Sequence, residues 1–267
     1  MVAQTVKLPN IRKLFIPDEG CVIYDADLER ADAQVVAWEA DDDELKQIFR
    51  EGLDIHMENA KAVYHTNKPT YIQRHNTKSG IHGINYGVKA RTLARTLKCT
   101  VAEADDFINR WFGAHPKIAK WHKRVRREVN QTRSISNKFG YRMYFFDRLE
   151  TVLPKALAWV PQSTVALVTN KGLVKIFKHL PDIQLLLQVH DSLVMQGPAD
   201  KVQEHAPQII EQMSITVPYD DPLVIPVNLS ISDVSWGDCK KAVELNDNFY
   251  WEDEYKKDGT TNLVKFN

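Results

Sequence analysis

The stretch LLLQVHDSLVMQ, residues 185–196, places two apolar runs on either side of His190 and Asp191. Two short apolar runs separated by two polar residues predict a β-hairpin. A carboxylate removed from water costs several kcal/mol unless it is paired or binds a cation. A divalent metal is the simplest physical reason to place Asp191 at the tip of so hydrophobic a hairpin. The hairpin therefore predicts a second carboxylate and a highly charged substrate.

The composition limits the class of protein without identifying it. With 267 residues, 43% of them hydrophobic, the chain can bury the core of one large domain or of two small ones. A formal net charge of zero neither indicates nor excludes nucleic acid as a partner. The three cysteines, Cys21, Cys99 and Cys239, lack CxxC spacing, and the sequence has no signal core and no apolar run of bilayer length. We expect a soluble, cytoplasmic protein.

The order of strands and helices predicts an α+β fold with an antiparallel sheet. The expected elements are a strand over 21–27, a helix over 33–50, basic helices over 71–133, a hairpin over 134–145, a helix over 153–179, the hairpin 185–196, a helix over 200–213 and a strand over 223–232. Pro154 and Pro161 are expected to mark the start of the third helical region and a kink within it.

A second carboxylate is available at the end of the first strand, in the sequence YDADLERAD. Asp25 and Asp27 share one face of that strand, because strand side chains alternate. Asp27 and Asp191 could flank two Mg²⁺ ions ~4 Å apart, as in in-line phosphoryl transfer. On spacing alone, the favoured interpretation is that these acids cap the next helix or solvate a strand end.

The segment RHNTKSGIHGINYG, residues 74–87, carries a column of cations and rings. Arg74, Lys78, His82 and Tyr86 recur every fourth residue and so share one side of a helix. The column suits a triphosphate at its basic end and a sugar and base at its aromatic end. Three glycines, which each weaken a helix by about 1 kcal/mol, predict a close approach or a bend: Gly80, Gly83 and Gly87.

These segments together resemble the family A DNA polymerases. Residues 74–87 resemble motif B, DLERAD resembles motif A, and QVHDS resembles motif C. LPNIRKLFIPDEG, FREGLDIHMENA and PQST resemble the segments that flank these motifs. The resemblance extends from about Pro9 to Trp236 and implies a palm with an antiparallel sheet and an inserted helical fingers region. It implies four parts: palm with motif A over 1–70, fingers over 71–150, palm with motif C over 151–244, and an acidic, aromatic tail over 245–267.

The resemblance implies a role for each matching residue. Asp27 and Asp191 would bind two Mg²⁺ ions, with the Leu28 carbonyl as a further ligand. Lys78 would hold the triphosphate of a dNTP with Arg74 and could act as a general acid. The remaining roles are Tyr86 beside the nascent base pair, His82 and Asp32 in the nucleotide site, Gln162 in the primer–template minor groove, and His190 at the primer terminus or within the hairpin.

The sequence departs from the family pattern at three positions. Asp32 stands where the family has the glutamate that blocks a ribose 2′-hydroxyl, so we predict weaker exclusion of ribonucleotides. His82 replaces an aromatic residue, in a form of motif B that resembles a phage-type branch. Ser192 replaces the glutamate that usually follows the motif C aspartate.

Two further segments suggest binding surfaces. The segment 115–133 carries cations against one acid, Glu128, which predicts contact with a DNA backbone. The predicted DNA-binding cations are Lys117, Lys120, Lys123, Arg124, Arg126, Arg127 and, in the following hairpin, Arg142. The tail could anchor a partner protein or fold back on this chain through its aromatic residues, which are Phe249, Tyr250, Trp251, Tyr255 and Phe266.

The thumb and the exonuclease domain of the family have no counterpart in this sequence. Either this sequence is a fragment, or a separate chain supplies the thumb, the exonuclease or both. Our hypothesis is the second, a split polymerase that binds primer–template DNA together with a partner chain. The alternatives are a catalytically retired, clamp-like subunit and, further behind, a single-subunit RNA polymerase relative. A generic metal-dependent phosphatase or nuclease would leave the column over 74–87 unexplained.

Overall fold

The computed structural model describes residues 9–245, 248–255 and 261–265. The chain divides into two compact units. The first unit contains Met1–Glu29, Ala166–Thr216 and Val224–Asn267, and the second contains Arg30–Val165 and Val217–Leu223. The predicted palm, fingers and tail ranges stay predictions. Within the described residues, no helix is long and apolar enough to cross a bilayer.

The first unit is built on a seven-stranded sheet whose described pairings are all antiparallel. Its strands, in spatial order, are β11 (Thr261–Lys265), β10 (Asn248–Tyr255), β9 (Lys240–Leu245), β8 (Val227–Ser232), β1 (Cys21–Leu28), β5 (Ser192–Pro198) and β4 (Gln184–Val189). The predicted α+β class with an antiparallel sheet is confirmed.

Strand β1 is the interior strand that positions the first acid. Its apolar residues Val22, Ile23 and Tyr24 are buried, as suits a strand in the interior of a sheet. Strand β1 pairs with β5 on one edge and with β8 on the other. Asp27 lies opposite Ser192 of β5 and, on the other edge, opposite Asn228 of β8. The sheet therefore fixes the end of β1 from both sides.

The chain beyond β8 extends the same sheet. Phe249 of β10 is buried, and its backbone N–H donates to the side-chain oxygen of Gln203 at 2.7 Å. Gln203 lies in helix α9 (Val202–Met213), and its amide donates back to the Phe249 carbonyl at 3.0 Å. At Phe249 the tail thus packs on its own unit. Phe266 lies outside the described residues.

The second unit is mainly helical. Its helices are α1 (Ala31–Ala40), α2 (Asp43–Arg50), α3 (Ile55–Tyr64), α4 (Tyr71–Asn85), α5 (Ala90–Leu97), α6 (Val101–Ala114), α7 (Pro116–Thr132) and the first part of α8 (Leu149–His179). Its hairpin joins β2 (Ser134–Ser136) to β3 (Arg142–Tyr144). The short strands β6 (Thr216–Val217) and β7 (Leu223–Val224) follow α9.

Two predicted helix boundaries are corrected. The helix predicted over 33–50 is broken, because Asp41 ends α1 in the left-handed region at φ 54° and Asp42 caps α2 by accepting from Leu45 N at 3.1 Å. Helix α8 begins at Leu149, so Pro154 lies inside it. A proline within a helix removes one backbone hydrogen bond, yet α8 continues through both Pro154 and Pro161.

The glycines of α4 serve packing. Thr70 and Gln73 form a capping box at the start of α4, which fixes the helix against the preceding turn. A Cβ on Gly80 would lie 3.1 Å from the ring of Phe107. Gly87 ends the segment at φ +76°, a conformation that glycine adopts without strain. The predicted close approach at Gly80 is thus made by a side chain of α6.

Candidate active site

The hairpin between β4 and β5 brings Asp191 beside the end of β1. Asp27 pairs with Ser192, the residue directly after Asp191. The Leu28 N–H donates to the Asp191 carbonyl at 3.3 Å, which ties the hairpin tip to the strand end. His190 adopts the left-handed conformation at φ 56° that turns the chain here, and its side chain is exposed. The two acids predicted from separate segments therefore lie together.

The electrostatics of this pair fit a cation. Partial removal from water and the nearby charge of Asp191 raise the pKa of Asp27 to about 6. The negative charge of Asp25 also raises this pKa, whereas the charge of Arg12 lowers it. Carboxylate oxygens are the ligands that Mg²⁺ prefers, and a divalent ion would relieve their repulsion. No cluster of three His, Cys, Asp or Glu side chains occurs in the part of the chain that the structure describes. Further ligands would come from backbone, water or substrate oxygens.

Asp25 is engaged in the structure of the unit. The indole N–H of Trp236 donates to its Oδ2 at 2.7 Å, and the Ser192 hydroxyl donates to its Oδ1. The choice of Asp27 over Asp25 as the metal-facing acid is therefore consistent with their contacts. Ser192, which replaces an acid of the family pattern, holds Asp25 in place.

The sequence reasoning missed Arg12 near this acid pair. The Arg12 guanidinium lies 4.5 Å from the centre of the Trp236 ring. The positive charge of Arg12 lowers the pKa of Asp27. Arg12 lies in LPNIRK, a segment that matched the family, but nothing in its spacing singled out the arginine.

In the second unit, the aromatic end of the α4 column lines a cavity of about 280 Å³. Lys78, His82 and Tyr86 all contribute to its wall, as predicted from their spacing. Asp32 of α1 and His56 of α3 also line it. His56 was not predicted. Burial lowers its pKa, and the charges of Lys78 and Arg74 lower it further, while Asp54 raises it.

Asp32 and Tyr86 meet in this cavity. The Tyr86 hydroxyl donates to Asp32 Oδ2 at 2.6 Å. Burial, followed by the negative charge of Asp32, raises the pKa of Tyr86, so the phenol stays protonated and donates. The His82 ring packs edge-on against Tyr86 with centroids 4.6 Å apart. Asp32, Tyr86 and His82 thus form one connected group of side chains.

Arg74, at the basic end of the column, has a protein partner. Its Nε and Nη2 atoms donate to Asp54 Oδ2 at 2.8 and 2.7 Å. The other oxygen of Asp54 caps α3 by accepting from the backbone N–H groups of His56 and Met57. The charge of Arg74 contributes to lowering the pKa of Asp54. A triphosphate would compete with this carboxylate for the guanidinium.

The predicted basic surface of α7 divides into two sets. Lys117 forms an ion pair with Asp43 at 2.5 Å. Arg124 donates to the Glu39 carbonyl at 2.6 Å and contacts its carboxylate at 3.2 Å. The cations that are exposed on α7 without an ion pair among the described residues are Lys120, Lys123, Arg126 and Arg127. Lys120, Lys123 and Arg127 project opposite the buried face of the helix.

The remaining predicted DNA contacts lie on α8 and the β2–β3 hairpin. Gln162 is exposed on α8. Its neighbour Ser163 accepts a hydrogen bond at 3.0 Å from Asn137, whose carboxamide oxygen also accepts from two N–H groups of the hairpin loop. Arg142 is exposed, and its Nε donates to Ser136 Oγ at 3.0 Å.

Comparison with known proteins identifies the family. The model of DNA polymerase family A matches residues 2–238. The chain is 34% identical over 232 residues to the thermostable DNA polymerase I of Thermus filiformis, covering 82% of this chain and 28% of that protein. It is 28% identical over 245 residues to DNA polymerase I of Geobacillus stearothermophilus, covering 86% of this chain and 28% of that one.

A solved structure supports the fold. The POL domain of Pol1 from M. smegmatis, in complex with DNA primer-template and dNTP, superposes with a TM-score of 0.78 at 22% sequence identity. The match covers 89% of this chain and 45% of that one. The present chain thus spans under a third of the length of these curated relatives. With the family model matching residues 2–238, the chain belongs to DNA polymerase family A.

Proposed function

We propose that this chain is the palm-and-fingers catalytic part of a template-directed polymerase that adds dNTPs to a primer 3′-hydroxyl with two Mg²⁺ ions. The observation that carries the proposal is the register of β1 and β5, which places Asp27 opposite Ser192 and so beside Asp191; partial removal from water and the charge of Asp191 raise the pKa of Asp27 to about 6. Two carboxylates held together by a sheet are suited to a pair of divalent ions.

Each part of the site has a task in this reaction. Bound Mg²⁺ would activate the 3′-hydroxyl and neutralise charge on the α-phosphate and the leaving pyrophosphate. Asp27 and Asp191 hold the ions, and the Leu28 carbonyl is a candidate further ligand. Lys78 orients the triphosphate and can give a proton to the pyrophosphate. Catalysis of this kind is mainly positioning and charge stabilisation.

The cavity of the second unit would take the sugar and base. Asp32, anchored by Tyr86, stands where a ribose 2′-hydroxyl would be excluded, and its side chain is shorter than glutamate. Base selection would come from template pairing, while the protein contacts phosphates and sugars. Gln162, His190, Arg142 and the exposed cations of α7 are the candidate DNA contacts, together with the ion-paired Lys117 and Arg124.

We propose that a separate chain supplies thumb or exonuclease functions. The short helix Ile11–Leu14 supports a protein contact, because it faces outward with its apolar side chains: Ile11 is 69% and Leu14 77% exposed. Its cations instead contact their own unit, Arg12 on Trp236 and Lys13 on Asp238 at 2.7 Å. A surface helix usually turns its apolar side chains toward the core and its charged side chains toward solvent, and this helix does the opposite. Processive extension by this chain alone at ordinary salt would contradict the proposal.

A second candidate is a retired, clamp-like subunit. Ser192 favours it, since a serine that donates to Asp25 stands where the family has an acid. Against it, Arg74, Lys78 and Tyr86 are all present with both aspartates. The form of motif B around His82 supports a phage-type origin. With no membrane-crossing helix in the described residues, we place the protein in the host cytoplasm as part of the same proposal.

The test is primer extension with purified chain, alone and with the products of neighbouring genes. Extension that needs Mg²⁺ and is lost in Asp191→Asn supports the polymerase. The matched control is Asp238→Asn, an acid of the same unit whose carboxylate pairs with Lys13. Binding of primer–template without extension in every combination would favour the retired subunit.

A further inference from the structure

The β2–β3 hairpin of the second unit carries an uncovered line of side chains. Side chains alternate along a strand, so Arg142, Tyr144 and the following Phe146 share one face. The pairing continues past Tyr144, since the Phe145 N–H donates to the Arg133 carbonyl at 2.8 Å. Phe145 is buried on the opposite face. The outward face thus carries one cation followed by two aromatic rings.

Nothing in the unit's described contacts covers these rings. Tyr144 is 55% and Phe146 94% exposed. Across the hairpin, Tyr144 lies opposite Ser134 and Arg142 opposite Ser136, and serine is too small to shield a ring. By contrast, Tyr141 of the same hairpin stacks on Trp159 with ring planes 14° apart. The rings of Tyr144 and Phe146 therefore stand free to stack on something else.

The charge around the rings is positive. Lys138, Arg142 and Arg148 are exposed, and over residues 134–148 the sequence contains one acid, Asp147. That acid forms an ion pair with Lys155. The rings thus lie within a cationic surface, which favours an anionic, aromatic ligand over an apolar protein surface.

The spacing of the rings fits a polynucleotide. Residues two apart on a strand are about 6.6 Å from one another, which is close to twice the roughly 3.4 Å per nucleotide of one strand in duplex DNA. A single strand that is stretched to about twice its spacing in duplex DNA can therefore place successive bases on successive rings. Binding sites for single strands combine cations along the backbone with aromatic side chains under the bases.

We propose that Arg142, Tyr144 and Phe146 form a stacking platform for single-stranded nucleic acid. The rings would stack on unpaired bases, and Arg142, which lies beside Tyr144 at one end of the line, would contact a neighbouring phosphate. In the proposed polymerase the ligand would be the unpaired template, and that identification alone rests on the proposed function.

Fluorescence anisotropy with a labelled oligothymidylate of about 16 nucleotides tests the platform. EDTA in the buffer removes any contribution of metal ions, and a labelled duplex of equal length is the second probe. Stacking contributes about 1–3 kcal/mol per base, so Tyr144→Ala and Phe146→Ala should each weaken single-strand binding about 5- to 150-fold. Arg142→Ala should reduce the salt slope by about one phosphate contact.

Phe177→Ala is the matched control. Phe177 is 74% exposed on α8 and flanked by Lys175 and Lys178, so it shares the chemistry of a ring among cations but not the alternating strand. It should bind the oligonucleotide like the unaltered chain. An unchanged affinity in the Tyr144, Phe146 double variant, or an equal loss in Phe177→Ala, would overturn the proposal. Loss of primer extension with single-strand binding intact would count against the polymerase and leave the platform standing.

Discussion

Lengthening the side chain of Asp32, which we propose excludes the ribose 2′-hydroxyl, by one methylene should make the chain more selective against ribonucleotides. The change is Asp32→Glu. In the structure the carboxylate of Asp32 is anchored by the Tyr86 hydroxyl at 2.6 Å, on the wall of a cavity of about 280 Å³. A glutamate that keeps this anchor must accommodate about 1.5 Å of extra chain between the helix and the tyrosine. The added methylene then projects into the space for the sugar.

The size of the effect follows from the free energy that a pocket loses when a group does not fit it. One methylene contributes about 1–3 kcal/mol of discrimination, or about 10- to 200-fold. We expect the ratio of kcat/KM for dNTP to that for rNTP to rise by this factor in Asp32→Glu. Because the carboxylate is held by Tyr86, Tyr86→Phe should cancel most of the gain. The two substitutions should therefore be non-additive.

Single-nucleotide insertion opposite each template base measures this ratio in the four chains of the double-mutant cycle. Asp105→Glu on the exposed side of α6 is the control for an added methylene, and it should leave the ratio unchanged. A ratio within twofold of the starting enzyme in Asp32→Glu, with dNTP insertion retained, would refute the role of side-chain length. Strict additivity of Asp32→Glu and Tyr86→Phe would refute the anchoring.

Two further substitutions test the charges of the site, and a third tests His122, a half-buried histidine of α7 whose Nε2 lies 3.0 Å from the Asn85 carbonyl oxygen. Asp191→Asn removes a like charge, so the pKa of Asp27 should fall from about 6, as followed by carboxyl NMR titration; an unchanged value would mean the two acids do not interact. Asp54→Asn keeps the cap of α3 but frees Arg74, so the KM for dNTP should fall several-fold with kcat retained, and a higher KM would contradict the competition. His122 is neutral in the fold because burial lowers its pKa to about 4. In the unfolded chain the pKa of this histidine has its ordinary value, so below that pH the unfolded chain binds more protons than the folded chain. Stability should therefore be about 2 kcal/mol lower at pH 5 than at pH 7.5 by urea unfolding, and a flat profile matching His122→Gln would refute this.

Local pattern was enough to predict the parts of the site whose partners are fixed by periodicity. The hairpin around Asp191 follows from two apolar runs, and the shared wall of Lys78, His82 and Tyr86 follows from helical spacing. Contacts between segments were not available to such reasoning. Asp54 is twenty residues from Arg74, and only the packing of α3 against α4 brings them together.

Charge counts were the weakest guide, because a cation gives the same signal in sequence whether it binds DNA or its own protein. Lys117 and Arg124 flank the buried face of α7 and reach Asp43 and Glu39, whereas Lys120 projects away from it. The direction of each side chain around the helix would have separated the two sets once the buried face was known. That face is marked by apolar residues every third or fourth position, so the signal was present in the sequence and unused.

The contacts of the β4–β5 hairpin show which unfavourable energy a bound cation would relieve. Asp27 is an exposed residue and Asp191 is half-buried, so neither is an acid deep within an apolar core. Partial removal from water and the nearness of a like charge both raise the pKa of Asp27, and the register of β1 and β5 maintains that nearness. In the proposed function, such a pair would bind a divalent ion without rearranging the sheet, because its two carboxylates are already held together. The rigid sheet, more than the apolar hairpin itself, is therefore what suits these acids to the proposed metal site.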